Sequence, residues 1–139
     1  MNNIFEWTKE MSVDNPILDK QHKEIIDRLN NLVDKLSNKV EREDIENVLV
    51  FMNNYIVEHK ACEEQYMKDN NYPDLDWHIK EHEFFEKQYE VFKKSFKEGA
   101  NPSILAMEME RYLGGWLFHH IMNTDKRYAE FIRNKNKKQ

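Results

Sequence analysis

Seven residues able to bind a metal interrupt the apolar helical patterns of this sequence. They are His22, His59, Glu63, His78, His82, His120 and Asp125. A carboxylate on a buried helix face costs free energy unless it is paired or binds a metal. Each residue taken alone could be a satisfied core residue or half of an ion pair. Together, on four separate predicted helices, the five imidazoles and two carboxylates indicate a metal site.

The spacing within each helix determines which of these side chains can project from one face. His59 and Glu63 lie four residues apart and therefore share a face, and the same spacing relates the first two histidines of the third predicted helix. His120 and Asp125 lie five residues apart, which is roughly 140° around an ideal α-helix. On geometry alone they are the weakest pair, although both fall on a broad apolar face.

The number and type of ligands indicate which metal the site would hold. Seven nitrogen and oxygen donors exceed the four that a structural zinc site uses. Imidazole suits iron, zinc and copper, while carboxylates suit a bridge between two ions, so the set predicts a pair of five- or six-coordinate irons. The Glu-x-x-His motif of carboxylate-rich di-iron bundles is absent, since Asp19 stands three residues before His22.

Four stretches with helical periodicity are predicted to position these residues. A boundary at Asn15-Pro16 precedes the first, and the polar stretch Ser37–Asp44 and breaks at Asp69–Pro73 and Gly99–Pro102 separate the four. Asn101 is a predicted N-cap before Pro102. The prediction is a single domain, 1–139, with an arm at 1–16 and helices at about 17–37, 42–69, 74–98 and 102–133. Short connections between long amphipathic helices favour an all-α, up-down-up-down antiparallel four-helix bundle with an extended N-terminal arm.

The composition excludes several other classes of protein. Forty per cent hydrophobic residues argue against disorder, and three Gly with three Pro are too few for the turns of an all-β fold. A net charge of −5 does not suit a nucleic-acid binder. No signal peptide and no membrane-spanning apolar run is present. Cys62 is the sole cysteine, which fits a reducing compartment, so a cytoplasmic protein is expected.

Several short motifs carry a more specific pattern. They are Phe5-Glu6-Trp7, Asp19-Lys20-Gln21-His22, His59 through Glu63-Glu64 to Met67, Tyr72-Pro73, His78-Ile79-Lys80-Glu81-His82 with Phe85, Trp116-Leu117-Phe118-His119-His120-Ile121, and Asp125 with Tyr128. In this order and spacing they resemble the hemerythrin family, specifically its bacterial single-domain form. The resemblance spans nearly the whole chain.

The resemblance implies a complete ligand assignment. One iron would be bound by His78, His82 and His120, the other by His22 and His59, and both by bridging Glu63 and Asp125. A solvent-derived oxo or hydroxo group would complete the bridge. The two-histidine iron would keep an open position, where dioxygen binds as ferrous iron becomes ferric and is held as hydroperoxide. The apolar lining of this oxygen pocket is expected from Ile25, Trp116, Leu117 and Ile121.

The function that the resemblance implies is reversible oxygen binding, for storage, delivery or sensing, rather than enzyme catalysis. Dioxygen is the expected ligand, and a redox or oxygen-consuming protein partner remains unidentified. The chain departs from the family at Lys60, where relatives commonly carry Phe, and at Cys62, just before Glu63. The pair Gly114-Gly115 within the fourth helix predicts either close helix packing or local flexibility.

Three other functions compete with oxygen carriage. A di-iron site of this kind could instead scavenge peroxide or nitric oxide. The segment from His78 to His82 also matches the His-x-x-Glu-His motif of inverted zinc peptidases, with Glu81 as general base. That pattern arises often by chance in charged helices, and Glu81 lies off the apolar stripe. The remaining alternative is a helical interaction module whose histidines have no chemical role.

Overall fold

A computed structural model describes residues 5–36 and 38–137, and it confirms the predicted four-helix bundle. The first three helices are α1 (Pro16–Lys35), α2 (Arg42–Asp69) and α3 (Leu75–Lys97). The fourth helix runs without a break through α4 (Pro102–Met109), a first π turn (Glu110–Gly114), α5 (Gly115–His119), a second π turn (His120–Asp125) and α6 (Lys126–Lys137). No strand occurs in these ranges, and none of their helices is both long and apolar enough to cross a bilayer.

Two of the four helices begin at an Asn-Pro pair. The Asn15 side chain accepts hydrogen bonds from two backbone amides of the first turn of α1, and Asn101 accepts one from Ile104 at the start of α4. Pro16 and Pro102 occupy first-turn positions, where a missing N–H leaves no hydrogen bond unmade. Local sequence therefore sets the start of both helices.

The arm before α1 packs on the bundle and contains a single 3-10 turn at Lys9–Met11. Asn30 of α1 bonds both backbone groups of Phe5, accepting from its amide at 3.0 Å and donating to its carbonyl at 2.7 Å. Asp19 accepts from Ser12 Oγ and from the Val13 amide. Residues 1–4 of the predicted arm, and Ser37 at the predicted end of the first helix, lie outside the described residues.

The core consists of two apolar clusters with a polar layer between them. Along α1, Leu18 belongs to the smaller cluster and Ile25 to the larger, and along α2 Tyr55 belongs to the larger and Met67 to the smaller. The seven candidate ligands fall between these cluster members in every helix. Burial of the apolar residues on both sides therefore forces the imidazoles and carboxylates into one enclosed layer.

The two adjacent glycines of the fourth helix have different surroundings. A Cβ on Gly114 would lie 2.8 Å from Cζ and 2.9 Å from Cε2 of the Phe5 ring, whereas Gly115 is exposed and has open space around it. The two sequence-based explanations can therefore be separated. Gly114 serves close packing of the arm, and Gly115 has no contact that requires glycine.

We expect Gly114→Ala to lower the free energy of unfolding by about 1–3 kcal/mol, because the added methyl displaces the Phe5 ring. Gly115→Ala should raise it by about 1 kcal/mol through helix propensity. Urea unfolding of the two variants checks both values. Equal effects of the two substitutions would contradict the assigned role of Gly114.

Candidate metal centre

All seven candidate ligands lie in the polar layer, and each of the four bundle helices contributes at least one. Helix α1 provides one, α2 and α3 provide two each, and the second π turn provides two. Every one of them is buried, and none exposes more than 8% of its surface. The seven side chains thus lie together in one buried layer.

The donor atoms form two groups that share one residue. The first group contains Glu63, His78, His82 and His120, and the second contains His22, His59, Glu63 and Asp125. Within each group the atoms that could bind an ion lie within 4.8 Å of one another. Each group thus has the compactness needed for one metal ion, because imidazole nitrogen and carboxylate oxygen bind first-row metals at about 2.0–2.2 Å.

The two oxygens of Glu63 face different histidines. Oε1 lies 2.8 Å from Nε2 of His82 and 2.9 Å from Nε2 of His78. Oε2 lies 3.2 Å from Nε2 of His59 and 3.4 Å from Nε2 of His22. Glu63 therefore directs one oxygen toward each group of donors.

Asp125 is oriented in the same way. Its Oδ1 lies 3.0 Å from Nε2 of His120 and 3.1 Å from Nε2 of His78, and its Oδ2 lies 3.2 Å from Nε2 of His22. Both buried carboxylates are thus placed between the three-histidine side and the two-histidine side of the layer.

The second π turn explains how His120 and Asp125 reach the same layer. A π-helix closes its hydrogen bonds between residues five apart, so side chains at that spacing lie one above the other. An α-helix would have turned Asp125 away from His120. The local change in helical winding converts the weakest pair of the sequence pattern into two adjacent inward-facing donors.

Buried polar atoms of this layer have no hydrogen-bond partner among the described residues. They include Nε2 of His22, Nε2 of His120 and both carboxylate oxygens of Asp125, which lie 3.0–3.2 Å from one another as ion pairs but without the geometry of a hydrogen bond. Unpaired buried polar groups cost free energy, and a coordinated ion would satisfy them. The donor set therefore fits a metal better than it fits an ordinary polar core.

The electrostatics of the metal-free layer favour charged carboxylates and charged imidazoles, with the exception of His59, whose pKa is lowered by burial. Burial alone would lower the pKa of His22, but the carboxylates of Asp125 and Glu63 raise it to about 10. The same opposition of burial and carboxylates sets the pKa of His78 and His120 at about 9. Despite burial, the neighbouring imidazoles hold the pKa of Glu63 well below its usual range. A metal ion would replace these protons as the positive charge.

Outside the ligand atoms, a further set of side chains orients the imidazoles. Gln21 Oε1 lies 2.8 Å from Nδ1 of His59, and Glu64 Oε2 lies 3.0 Å from Nδ1 of His82. These oxygens can only accept, so each Nδ1 donates and each Nε2 is left for a metal. In the sequence, Gln21 and Glu64 stand out only as parts of the family motifs, because one sequence does not show which residues face them across the bundle.

Glu81 lies beside this outer set. Its Oε1 accepts from Thr124 Oγ1 at 3.3 Å and lies 4.0 Å from Nδ1 of His120. The carboxylate is thus behind the imidazole, on the side away from the Nε2 donor. Tyr128 completes the set by donating to Glu63 Oε2 at 2.9 Å.

A cavity of about 20 Å³ adjoins the donor layer, large enough for one small molecule. Its lining combines three candidate ligands with aromatic and aliphatic side chains and two charged residues: Tyr55, Ile56, His59, Lys60, His82, Phe85, Glu86, Trp116, Leu117 and His120. Of the residues expected to line an oxygen pocket, Trp116 and Leu117 line this cavity. Ile25 and Ile121 do not line it, and both are fully buried in the larger apolar cluster.

Two residues that could have competed as ligands lie outside the layer. His119 is exposed, one residue before the buried His120, and Cys62 is exposed, one residue before the buried Glu63. In each case a step of one residue along a helix turns the side chain to the opposite environment. Helical phase alone separates these residues from the site.

Comparison with known proteins gives a consistent assignment. The hemerythrin HHE cation-binding domain matches residues 14–132. The bacteriohemerythrin of Pseudomonas aeruginosa is 31% identical over 91% of this chain and 80% of its own length, and that of Methylococcus capsulatus is 29% identical over 91% and 95%. A crystal structure of wild-type hemerythrin has a TM-score of 0.76 at 29% identity, covering 91% of this chain and 96% of that one. A hemerythrin mutant has a TM-score of 0.78 at 28% identity, covering 93% and 97%. The chain belongs to the hemerythrin family.

Proposed function

We propose that this protein binds dioxygen reversibly at a pair of iron ions held by the seven buried side chains. Members of the family generally bind oxygen at a di-iron site, and the two donor groups fit two ions. The observation that carries the proposal is the orientation of Glu63 and Asp125, each of which turns one oxygen toward each group. Such carboxylates would bridge two ions.

The division of the donors makes the two metal positions unequal. Three imidazoles, from His78, His82 and His120, serve one position, and two, from His22 and His59, serve the other. With the carboxylates shared, the two-histidine position has one protein donor fewer. An open coordination position distinguishes a reactive metal from a structural one. The two-histidine position is therefore the proposed place of oxygen binding.

Iron would supply the electrons that dioxygen takes up on binding and returns on release. The protein residues keep this exchange reversible by excluding water and fixing the ligands. Tyr128 holds Glu63 through its hydroxyl, and the outer oxygens of Gln21 and Glu64 fix two imidazole rings. Phe85 and Leu117 form an apolar wall beside the cavity. A dry, rigid pocket slows the loss of bound oxygen as a reduced product.

The proposal is tested by the iron content and the visible spectrum of the purified protein. We expect about two irons per chain and a charge-transfer band that appears when the anaerobic reduced protein meets air and disappears when oxygen is removed. Stopped-flow decay of the oxygen adduct, with and without added peroxide, separates a carrier from a scavenger. One zinc per chain without iron, or a band that never reverses, would contradict reversible oxygen binding.

A further inference from the structure

A salt bridge between α2 and α3 lies on the outer side of the cavity. Lys60 Nζ is 3.2 Å from Glu86 Oε1, and both residues line the cavity. Six of the ten lining residues are buried, and the other four, which are partly exposed, are Ile56, Lys60, Glu86 and Trp116. The mouth of the cavity therefore lies among these four residues, and its two charged members are bound to each other.

The salt bridge has the properties of a closure that opens readily. The side chains of Lys60 and Glu86 are 34% and 32% exposed, so water competes for both charges. Ion pairs of this exposure contribute little free energy and are weakened by salt. Behind the pair, the cavity is lined by buried Phe85 and Leu117 and by the imidazoles of three candidate ligands.

Building on the proposed oxygen-binding function, we propose that Lys60 and Glu86 form a gate at the mouth of the cavity and that their charges select which small molecules enter. Dioxygen is neutral and needs only the gap that forms when the pair separates. A small anion such as azide also responds to the net charge of the mouth, which is zero while both residues are present. Removing one partner opens the gap and leaves one unbalanced charge.

Two single substitutions should therefore have opposite effects on anions. In Lys60→Gln the remaining Glu86 carboxylate makes the mouth negative, and in Glu86→Gln the remaining Lys60 ammonium makes it positive. Both variants should admit neutral molecules faster, by up to about fivefold, the factor that a partly exposed ion pair can supply. The double variant should admit neutral molecules faster without preference for charge.

The metal-free protein allows a test that does not depend on iron. Trp7→Phe and Trp77→Phe leave Trp116, which lines the cavity, as the sole indole. Because Trp116 is partly exposed, each quenching constant is compared with that of the same protein with both gate residues intact. Collisional quenching of its fluorescence is measured with dissolved dioxygen as neutral quencher and iodide as anion. We expect the dioxygen constant to rise in all three gate variants. The iodide constant relative to dioxygen should fall in Lys60→Gln and rise in Glu86→Gln.

A matched control breaks a different interhelical ion pair. Lys35 Nζ lies 3.1 Å from Asp44 Oδ1, and neither residue lines the cavity, so Lys35→Gln should leave both quenching constants unchanged. Circular dichroism checks that each variant is folded. Dioxygen constants that match the Lys35→Gln control in all three gate variants would overturn the proposal, as would an iodide response of the same sign in both single variants.

The iron-loaded protein provides a second measurement. Breaking the salt bridge lowers the barrier to passage in both directions. The dioxygen association and dissociation rate constants should therefore rise by the same factor in the gate variants. Azide association with the oxidised protein should be faster in Glu86→Gln than in Lys60→Gln. If the loaded protein binds no dioxygen but the quenching order holds, the oxygen-binding function falls and the gate stands.

Discussion

Glu63→Gln should abolish binding of the metal pair. Glu63 is the one residue common to both donor groups among the described residues, and its two oxygens face histidines of both. The amide has nearly the same shape but presents one oxygen and no charge, so it cannot serve two cations at once. Iron content is expected to fall from about two per chain to less than about one, with loss of the oxygen-dependent band.

The matched control for this prediction is Glu58→Gln, an identical substitution at an exposed position of the same helix. It should retain both irons and the band. A graded intermediate is Glu64→Ala, which removes the hydrogen-bond partner of His82 Nδ1. Loss of such an outer partner weakens metal binding by about 10–100-fold without removing a ligand. Full iron content in Glu63→Gln would show that the bridge is not made by this carboxylate.

Metal removal should reverse the pH dependence of stability. In the metal-free protein the pKa of His22 is raised to about 10 and those of His78, His82 and His120 to about 9. A raised histidine pKa stabilises the fold fully below the unfolded value near 6.5, and the contribution is lost as the pH rises through the folded value. Stability should therefore fall between about pH 6.5 and 9.

One histidine moved from 6.5 to about 9 contributes about 3 kcal/mol, so the fall should be of that order, reduced by His59, whose pKa is lowered by burial. The carboxylates of Glu63 and Asp125 affect stability at the acidic end of the pH range. Their folded pKa values are lowered, so their contribution is present above about pH 4 and is lost as the pH falls further. The metal-free protein should thus be most stable between about pH 4.5 and 6.5.

The stabilisation of the fold by iron should have the opposite pH dependence, because iron binding must displace protons from the charged histidines. The stabilisation by ferrous iron is expected to grow from about pH 6 to 8, the window in which the metal-free protein weakens. Anaerobic urea unfolding with and without iron measures both curves, and calorimetry in buffers of different ionisation enthalpy measures proton release. Parallel curves would show that these histidines are not the metal ligands.

The sequence by itself was sufficient to predict the helical bundle and to identify which residues could form the polar layer. Apolar residues at spacings of three and four can bury only one face of a helix, and the seven candidate ligands interrupt that face. Neighbouring residues on a helix point in different directions, so His119 and Cys62 are exposed while His120 and Glu63 lie in the layer. These are local properties, and a single chain segment is enough to read them.

Contacts between helices were decided only by the tertiary structure. The second π turn brings Asp125 above His120, and no helix propensity of the residues in that segment predicts a π turn there. The partners of the imidazole Nδ1 atoms and the Lys60–Glu86 pair join residues that are far apart in sequence. Ile25 and Ile121 have the same apolar character as Leu117, yet packing buries them away from the cavity. Periodicity specifies which face of a helix is inward, but the distances between inward side chains depend on how four helices pack together.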